Sequence, residues 1–443
     1  MKISGLERVG ILRKVKLDKQ VNSHSSCIIE TLYTGDNISE LQRYIGTEIT
    51  VEDDARRLMR GRIESITVNQ SFSNSTVAFY ANSFSMESDK TTYNRVFQDT
   101  KKNYSDIISC LKNDRVSFQI LERSLAEEKK DSIVFQHNCT DFEFAKKIAS
   151  SRNLYLFIDD TSQKSSISIC RSISGAKKQI SEEQIVILDY CVTRYEEQYR
   201  ITTRDYFDFG SVVTLNGYDY VIIGFSLFYE DHVEAYQYVL SRNIEEPQIK
   251  SQNDTLILGR CKIVNNDDPE HLGRIQVSFL EYEDSLPDNK LWIPYTNNMT
   301  EGDCGVAFVP DVEEFVSVYY CNSHCYASGC IRDKEFNSQL YDVSVRSVFT
   351  RNVKISISDE NIDINAFDYK IQIDKDNAVV QRDKNKISIS SNEILIRNDS
   401  SNILTENDVI KIISDKKTQL KSNEINIDGS SKVTIKTSAL DIG

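Results

Sequence analysis

The sequence predicts a mainly β protein whose C-terminal part is an intertwined triple-stranded β-helix or prism needing three copies of the chain. Three observations carry this. Short apolar runs bounded by Gly, Asn or Asp recur through residues 1–332, only two segments carry helical signals, and residues 353–443 hold a long periodic series of aliphatic pairs. The pairs Ile355/Ile357, Ile362/Ile364, Ile371/Ile373, Ile387/Ile389, Ile394/Ile396, Ile410/Ile412, Ile425/Ile427, Val433/Ile435 and Leu440/Ile442 each sit at i and i+2. Alternation of that kind places both side chains on one face of a short strand. Clean pairs start seven to nine residues apart, with Val379, Ile403 and Leu420 in the gaps and Asp, Asn, Ser, Lys and Glu between. The pattern reads as strand–turn–strand–turn. Each strand offers only two aliphatic side chains, worth about 1.5–3 kcal/mol apiece when buried. Ordering the repeat costs about 1–2 kcal/mol per residue in backbone entropy. One chain therefore lacks the walls to enclose this core, and three chains, each supplying one wall of a triangular prism, would complete it. The pairs from Ile355 to Ile435, Ile425 and Ile427 among them, are the expected trimer core.

Upstream, residues 1–95 read as a β-barrel domain with strands over Val9–Leu17, Ser26–Leu32, Gly46–Val51, Arg60–Val68 and Ser75–Phe84, and a helical turn at Asn37–Tyr44. The run Arg56, Arg57, Arg60, Arg62 reads as a solvated strand face. Residues 96–170 carry the helices: one over Tyr104–Leu111, and one opened by the capping box Thr140-Asp141-Phe142-Glu143 and closed at Arg152-Asn153. Strands Leu154–Ile158 and Ser166–Arg171 follow. Residues 171–245 read as a second barrel, with strands Tyr206–Val213 and Tyr218–Glu230 and a type I′ turn at Asn216-Gly217. Glu245–Asn253, containing Pro247, is the linker (246–255). In 256–332, the five strands Leu256–Val264, Gly273–Leu280, Lys290–Tyr295, Gly305–Val309 and Glu314–Cys321 suggest an OB-type barrel, one of the oligonucleotide/oligosaccharide-binding class. Residues 333–352 are a connector to the prism at 353–443.

Composition narrows function. Net charge is −14, which disfavours nucleic acid as a partner even with Arg260, Lys262 and Arg274 in the barrel; Arg274 reads as structural, pairing across strands or chains. Residues 351–443 hold 14 Lys+Arg against 15 Asp+Glu, so the tail is nearly neutral, with both signs expected to be interspersed on its outer surface. No apolar run reaches the roughly 20 residues of a membrane span, and the first residues lack a signal-peptide core, so a soluble chain without a secretory signal is expected. The ten cysteines read as mostly reduced, buried thiols.

Several runs resemble one family. Gly259-Arg260-Cys261-Lys262-Ile263-Val264, Asp268-Pro269, His271–Phe279, Trp292-Ile293-Pro294-Tyr295 and Phe308–Val318 are similar to the spike barrel of VgrG proteins and phage baseplate spikes. Arg95-Val96-Phe97-Gln98-Asp99 and Phe135–Phe144 are similar to two runs of the partner half, the hub of the VgrG and phage late-control D families. The resemblance implies a hub, an OB-fold barrel and a prism in one chain: a trimeric, membrane-puncturing spike of a contractile injection system (type VI secretion, phage tail, tailocin or extracellular particle). It implies a homotrimer, inner tube and baseplate proteins at the hub end, a PAAR-like tip protein or effector docked at Leu440, Asp441, Ile442 and Gly443, and transient contact with the target envelope. It also implies assembly in the bacterial cytoplasm and delivery outside on contraction. The Gly that often stands in the family's octads is absent between Gly329 and Gly429, so Asn, Asp and Ser must carry any left-handed turns. The connector leaves no room for the lysozyme domain of some phage spikes, and no effector domain is expected after Gly443.

No phosphate loop, HExxH helix or GxSxG elbow is present, and the reading is a non-enzyme without cofactor. Cys321, His324, Cys325 and Cys330, with Cys304 upstream, are the residues with zinc-like spacing; with no second CxxC knuckle, they read instead as a strand end at Cys321 and a turn decorated with thiols, and no metal is expected. The alternatives are a trimeric phage-type tail spike with cell-wall or glycan hydrolase activity, and a host-receptor adhesin.

Overall fold

The computed structural model describes residues 1–443 apart from 8, 34–36, 54–55, 71–74, 112, 130–131, 174–176, 244–254, 297–299, 302–303, 306–308, 322–323, 331–344, 351, 407 and 442–443. The chain is mainly β and divides into two compact units, Met1–Arg332 and Asp333–Gly443.

In the first unit the two expected barrels share one twelve-stranded sheet. Its path runs Lys2–Ser4, Glu48–Asp53, Arg56–Gln70, Ser75–Ser83, Ser26–Tyr33, Gly10–Gln20, Tyr218–Glu230, Val233–Asn243, Glu196–Thr203 and Ile185–Val192. Gly10–Gln20 and Tyr218–Glu230 pair antiparallel, with Leu17 opposite Leu227. One apolar core therefore takes Leu17, Ile29 and Phe79 from the first stretch and Tyr220, Leu227 and Tyr238 from the second. The Asn216-Gly217 turn forms as read, both residues having positive φ. The strand expected at Tyr206–Val213 is confined to Val212–Leu215; Phe207 is buried in the core from irregular backbone whose N–H donates to the Tyr238 hydroxyl at 2.8 Å. Within the arginine run, Arg60 and Arg62 are half-buried beside Glu48 and Glu87 (3.7 and 3.2 Å) rather than freely solvated.

Between these strands lie β1 (Thr92–Phe97), α1 (Tyr104–Cys110), β2 (Val134–Thr140) and α2 (Asp141–Ser150). Both helices open on capping boxes, Asn103/Asp106 and Thr140/Glu143. Phe144, Ile148 and Ala149 bury one face of α2, and Asn153 takes the left-handed conformation after it. The expected linker lies outside the described residues. The OB sheet runs Ile293–Pro294, Arg274–Phe279, Thr255–Asn265, Phe315–Cys321 and His324–Cys330, and between its strands the chain sends out β3 (Glu283–Leu286). The Gly305–Val309 expectation falls largely on undescribed residues.

The second unit is a nine-stranded antiparallel meander: β4 (Arg346–Phe349), β5 (Val353–Ile357), β6 (Asn361–Ala366), β7 (Tyr369–Asp374), β8 (Asn377–Arg382), β9 (Asn385–Ser390), β10 (Glu393–Asn398), β11 (Ser401–Glu406) and β12 (Val409–Ile413). Part of the expected connector is thus already wall. Its turns answer how a Gly-free repeat reverses direction. On one margin Phe367, Asp383 and Asp399, sixteen residues apart, adopt positive φ in two-residue turns. On the other, the side chains of Ser358, Asp374 and Ser390, also sixteen apart, accept hydrogen bonds from the backbone N–H groups of their own turns. Asp was expected in the left-handed turns; Phe367 was not.

Candidate functional site: the barrel joint and the aliphatic wall

The two quoted N-terminal runs meet the OB barrel. β1 and β2 pair antiparallel, and β3 of the barrel adds to β1 in parallel, Glu283 opposite Arg95 and Asp284 opposite Val96. Arg95 is the centre of this joint. Its guanidinium donates to Gln136 Oε1 at 3.0 Å and to Asp141 Oδ1 at 2.5 Å, stands 3.6 Å from Glu283 and stacks 3.8 Å from the Tyr93 ring centroid. Gln98 Nε2 donates to Asp284 Oδ2 at 2.7 Å, and the same carboxylate takes Lys290 Nζ at 2.9 Å. Phe135 inserts among Phe279, Tyr282 and Tyr320 of the barrel, with edge-on ring contacts at 5.3, 5.5 and 5.1 Å. Val96 and Ile133 are wholly buried in the barrel's own core cluster. The run itself was visible in the sequence; Tyr282 and Asp284 were not singled out, because Glu281–Asn289 carries no strand signal.

A second motif organises the barrel's entry strand. Asp268 accepts from the backbone N–H groups of Glu270, Leu272 and Arg274 and from Nε and Nη2 of Arg274, at 2.7–3.2 Å. His271 and Gly273, both with positive φ, bring those donors round. Within its own chain Arg274 thus pairs with a carboxylate six residues earlier rather than across strands. The Arg274 guanidinium, helped by the three backbone donors, holds the Asp268 carboxyl well below the usual carboxylate range. A carboxyl whose pKa is depressed on folding stabilises above its unfolded pKa and loses that contribution as pH falls through the folded value. Asp268→Asn is therefore expected to lower the melting temperature at pH 7, and the gap to wild type should close only in strongly acidic buffer, below the usual Asp range. A gap that stayed undiminished well below the usual Asp range would count against the assignment.

The four residues with zinc-like spacing lie on one hairpin, with Cys321 directly opposite His324 and Cys325 opposite Tyr320. Neighbours along a strand face opposite ways, so Cys325 is buried in the barrel core, its thiol pushed up to about 12 by desolvation, away from the face shared by Cys321 and His324. The Cys304 and Cys330 side chains lie outside the described residues. Among the described residues no group of three or more His, Cys, Asp or Glu could hold a metal. Cys27, Cys139, Cys170 and Cys261 are likewise buried free thiols, whereas Cys191 is exposed.

The wall gathers the predicted aliphatic residues into two ladders. One runs Val348, Ile355, Ile364, Ile371, Val380, Ile387, Ile396, Ile403, Ile412; beside it run Ile357, Ile362, Ile373, Ala378, Ile389, Ile394, Thr405, Ile410. Both lie on one face of the sheet, and among the described residues they stay largely uncovered: Ile357 is 50%, Ile389 51% and Ile410 70% exposed. Val380, rather than Val379, fills the gap in register.

The distal pairs depart from the expected pattern. Residues 414–441 form no strand, so the strand–turn repeat read from the sequence stops at Ile413. Ile427 was expected on a core-facing strand; in the single chain it belongs to no strand and is 73% exposed. Its pair-mate Ile425 and the residues Leu420, Val433 and Ile435 are exposed in the same way. The physical reason is a break in the alternation. The stretch after Ile413 runs Ser-Asp-Lys-Lys-Thr-Gln-Leu-Lys and offers no apolar pair to continue the meander. Ile425 and Ile427 are thereby left without a neighbouring strand from their own chain to pair with or pack on. Leu440 and Asp441 are exposed, and Ile442 and Gly443 lie outside the described residues.

The expectation of interspersed charge does not hold on this sheet. Lys354, Lys370, Lys386 and Arg397 share one outer row of the polar face, while Asp374, Glu393 and Glu406 occupy the opposite outer row. Residues sixteen apart, such as Lys354, Lys370 and Lys386, return to the same margin, a sorting that composition alone conceals.

No helix among the described residues is long and apolar enough to cross a membrane. Residues 259–327 match the type VI secretion system/phage-baseplate injector OB domain. No curated protein matches the sequence. Among solved structures, the E. coli c3393 protein is reported as a type VI secretion component with structural similarity to the T4 phage tail proteins gp27 and gp5. It aligns over 75% of this chain and 99% of its own at 11% identity, with a TM-score of 0.54. The Francisella PdpA–VgrG complex in its half-lidded form aligns over 88% of this chain and 84% of its own at 10% identity, also at 0.54. Residues 259–327 thus match an injector OB domain, and the chain as a whole shares its fold with these type VI secretion and PdpA–VgrG structures.

Proposed function

We propose that the chain is a non-enzymatic homotrimeric hub–spike that joins the inner tube of a contractile apparatus to an envelope-puncturing prism and carries a tip protein or effector. The uncovered aliphatic face of the β4–β12 wall is the observation that carries this reading. Two ladders of Ile and Val along nine strands, about 38 Å at the usual strand spacing, are far beyond what a free-standing sheet exposes. Three such walls closing on one axis bury them all. Beyond Ile413, Ile425, Ile427, Val433 and Ile435 find strand partners on the other two chains, which makes the distal part the intertwined one.

The hub margin supports the same reading. Ile185–Val192 is an eight-residue edge strand with apolar groups open on both faces, Ile187 at 55% and Leu188 at 45%. Edges of that kind are covered in a native assembly. Another copy or the tube would cover it here. Thrust entering the hub passes through the Arg95 joint into the barrel. Stability is then kinetic as well as thermodynamic, since unfolding must separate chains.

The purified protein is expected to have three times the 50.8 kDa chain mass, and deletion of Leu440–Gly443 to abolish capture of a PAAR-like tip protein while leaving that mass unchanged. A monomer whose residues 353–413 resist protease would overturn the assignment.

A further inference from the structure

The two margins of the β4–β12 wall carry opposite charge, and this separation is built by the fold. On one long margin the outer row supplies Lys354, Lys370, Lys386 and Arg397, and the adjoining turns add Arg382 and Lys384 against Asp368, Asp383 and Asp399. Two of those carboxylates are engaged locally, Asp368 by Arg382 (3.8 Å) and Asp399 by Lys384 (3.0 Å). Among the described residues no carboxylate stands within ion-pair distance of the four outer-row cations. The other long margin is the reverse. Its outer row supplies Asp374, Glu393 and Glu406, the last met by Lys411 of the middle row at 3.7 Å, and its turns add Asp359, Glu360, Asp376 and Asp408 against Lys375. The middle row between them is near neutral, with Asp363 and Lys411 as its only charges between Val353 and Ile413.

We propose that the basic margin of each wall docks on the acidic margin of a second copy of this chain, so that charge pairing at the prism corners sets the direction and registry in which the chains assemble. The inference rests on the trimer reading and adds what the aliphatic face cannot supply. Apolar burial is non-directional; two such faces bury equally well with the chains parallel or antiparallel. Rotation about an axis along the strand stack brings a basic margin against an acidic one at every corner. An antiparallel pair instead sets basic against basic and acidic against acidic, which is repulsive. A heterologous contact of this kind closes into a ring. Lys370 and Asp374 stand on the same strand, so a slip by a single strand sets Lys370 opposite neutral Asn361 or Asn377 of the neighbouring copy instead of Asp374.

The test uses the full-length chain and hydrogen exchange over residues 353–413, because the hub could hold three copies together by itself. The first variant reverses one margin (Lys354→Glu, Lys370→Glu, Lys386→Glu). The second adds the complementary reversal of the other (Asp374→Lys, Glu393→Lys, Glu406→Lys). The first is expected to lose about tenfold or more of the wall's protection, and the second to recover most of it, although it carries twice as many substitutions. Wild-type protection should also fall on raising salt from low to about 0.5 M, where corner pairs are screened. A trimeric wild type whose wall protection is unmoved by the first variant overturns the corner pairing and leaves the trimer intact. Loss in both variants equally assigns the effect to folding of the wall and also overturns it. A monomeric wild type sinks the trimer reading instead.

Discussion

Ile371→Asp is expected to abolish assembly of the wall. Ile371 lies in mid-sheet, opposite Ile364 on one side and Val380 on the other, within the continuous ladder. Truncation of a buried Ile costs about 2–5 kcal/mol, and the proposed homotrimer would incur it three times, about 6–15 kcal/mol in all. The carboxylates make matters worse, since three would converge on a dry axis with no partner. Gln372→Asp, one residue along and on the opposite face, is the control: a surface change of this kind usually stays within about 0.5 kcal/mol. Protease resistance of residues 353–413 and thermal unfolding of the full-length protein would separate the two. If Ile371→Asp behaved like Gln372→Asp, the aliphatic face would not be a core.

The second large effect is expected at the joint. Arg95 is 11% and Asp141 8% exposed, so Arg95→Leu strands a buried carboxylate and removes a donor from Gln136. Breaking a buried pair by deleting one partner costs about 3–5 kcal/mol. The urea midpoint of the first unit should fall accordingly. Arg123→Leu, which breaks an exposed i,i+4 pair with Glu127, should shift it by no more than a few tenths of a kcal/mol. Arg95→Leu is expected also to loosen the barrel, because β1 carries β3. Hydrogen exchange at Glu283–Leu286 would read that directly, and unchanged protection there would show that β3 is held by the barrel alone.

Much of this architecture could be read from short-range signals. The Thr140/Glu143 box, the Asn216-Gly217 turn and the strand Tyr218–Glu230 all lie where local chemistry puts them. Each depends on contacts within four residues or on simple alternation, and these survive in one dimension. The aliphatic pairs likewise announced a face that one chain could not cover.

Other features had no local signature, or had one that misled. Ile425 and Ile427 alternate as cleanly as Ile387 and Ile389, yet Ile427 sits in no strand, because alternation marks a possible strand and only an adjacent ladder makes it one. Glu283–Leu286 became a strand only because Thr92–Phe97 offered it a ladder, and Phe207 reached the core without forming a strand. Arg274 was read as a structural, paired cation, but its partner Asp268 could not be named until the loop's backbone brought five donors onto one carboxylate. Charge on the wall was the largest surprise: interspersed along the chain, it is sorted into opposite margins once the meander folds.

The sequence alone therefore determined the strand periodicity up to Ile413, the capped helices, the barrel motifs and the excess of aliphatic surface, all of which rest on neighbours a few residues apart. Only the tertiary structure decided that two expected barrels share one sheet, that β3 welds barrel to hub, and which face and margin of the wall each side chain occupies. Those outcomes depend on pairing register between distant segments, and register is chosen by the summed burial of the whole sheet rather than by any one strand.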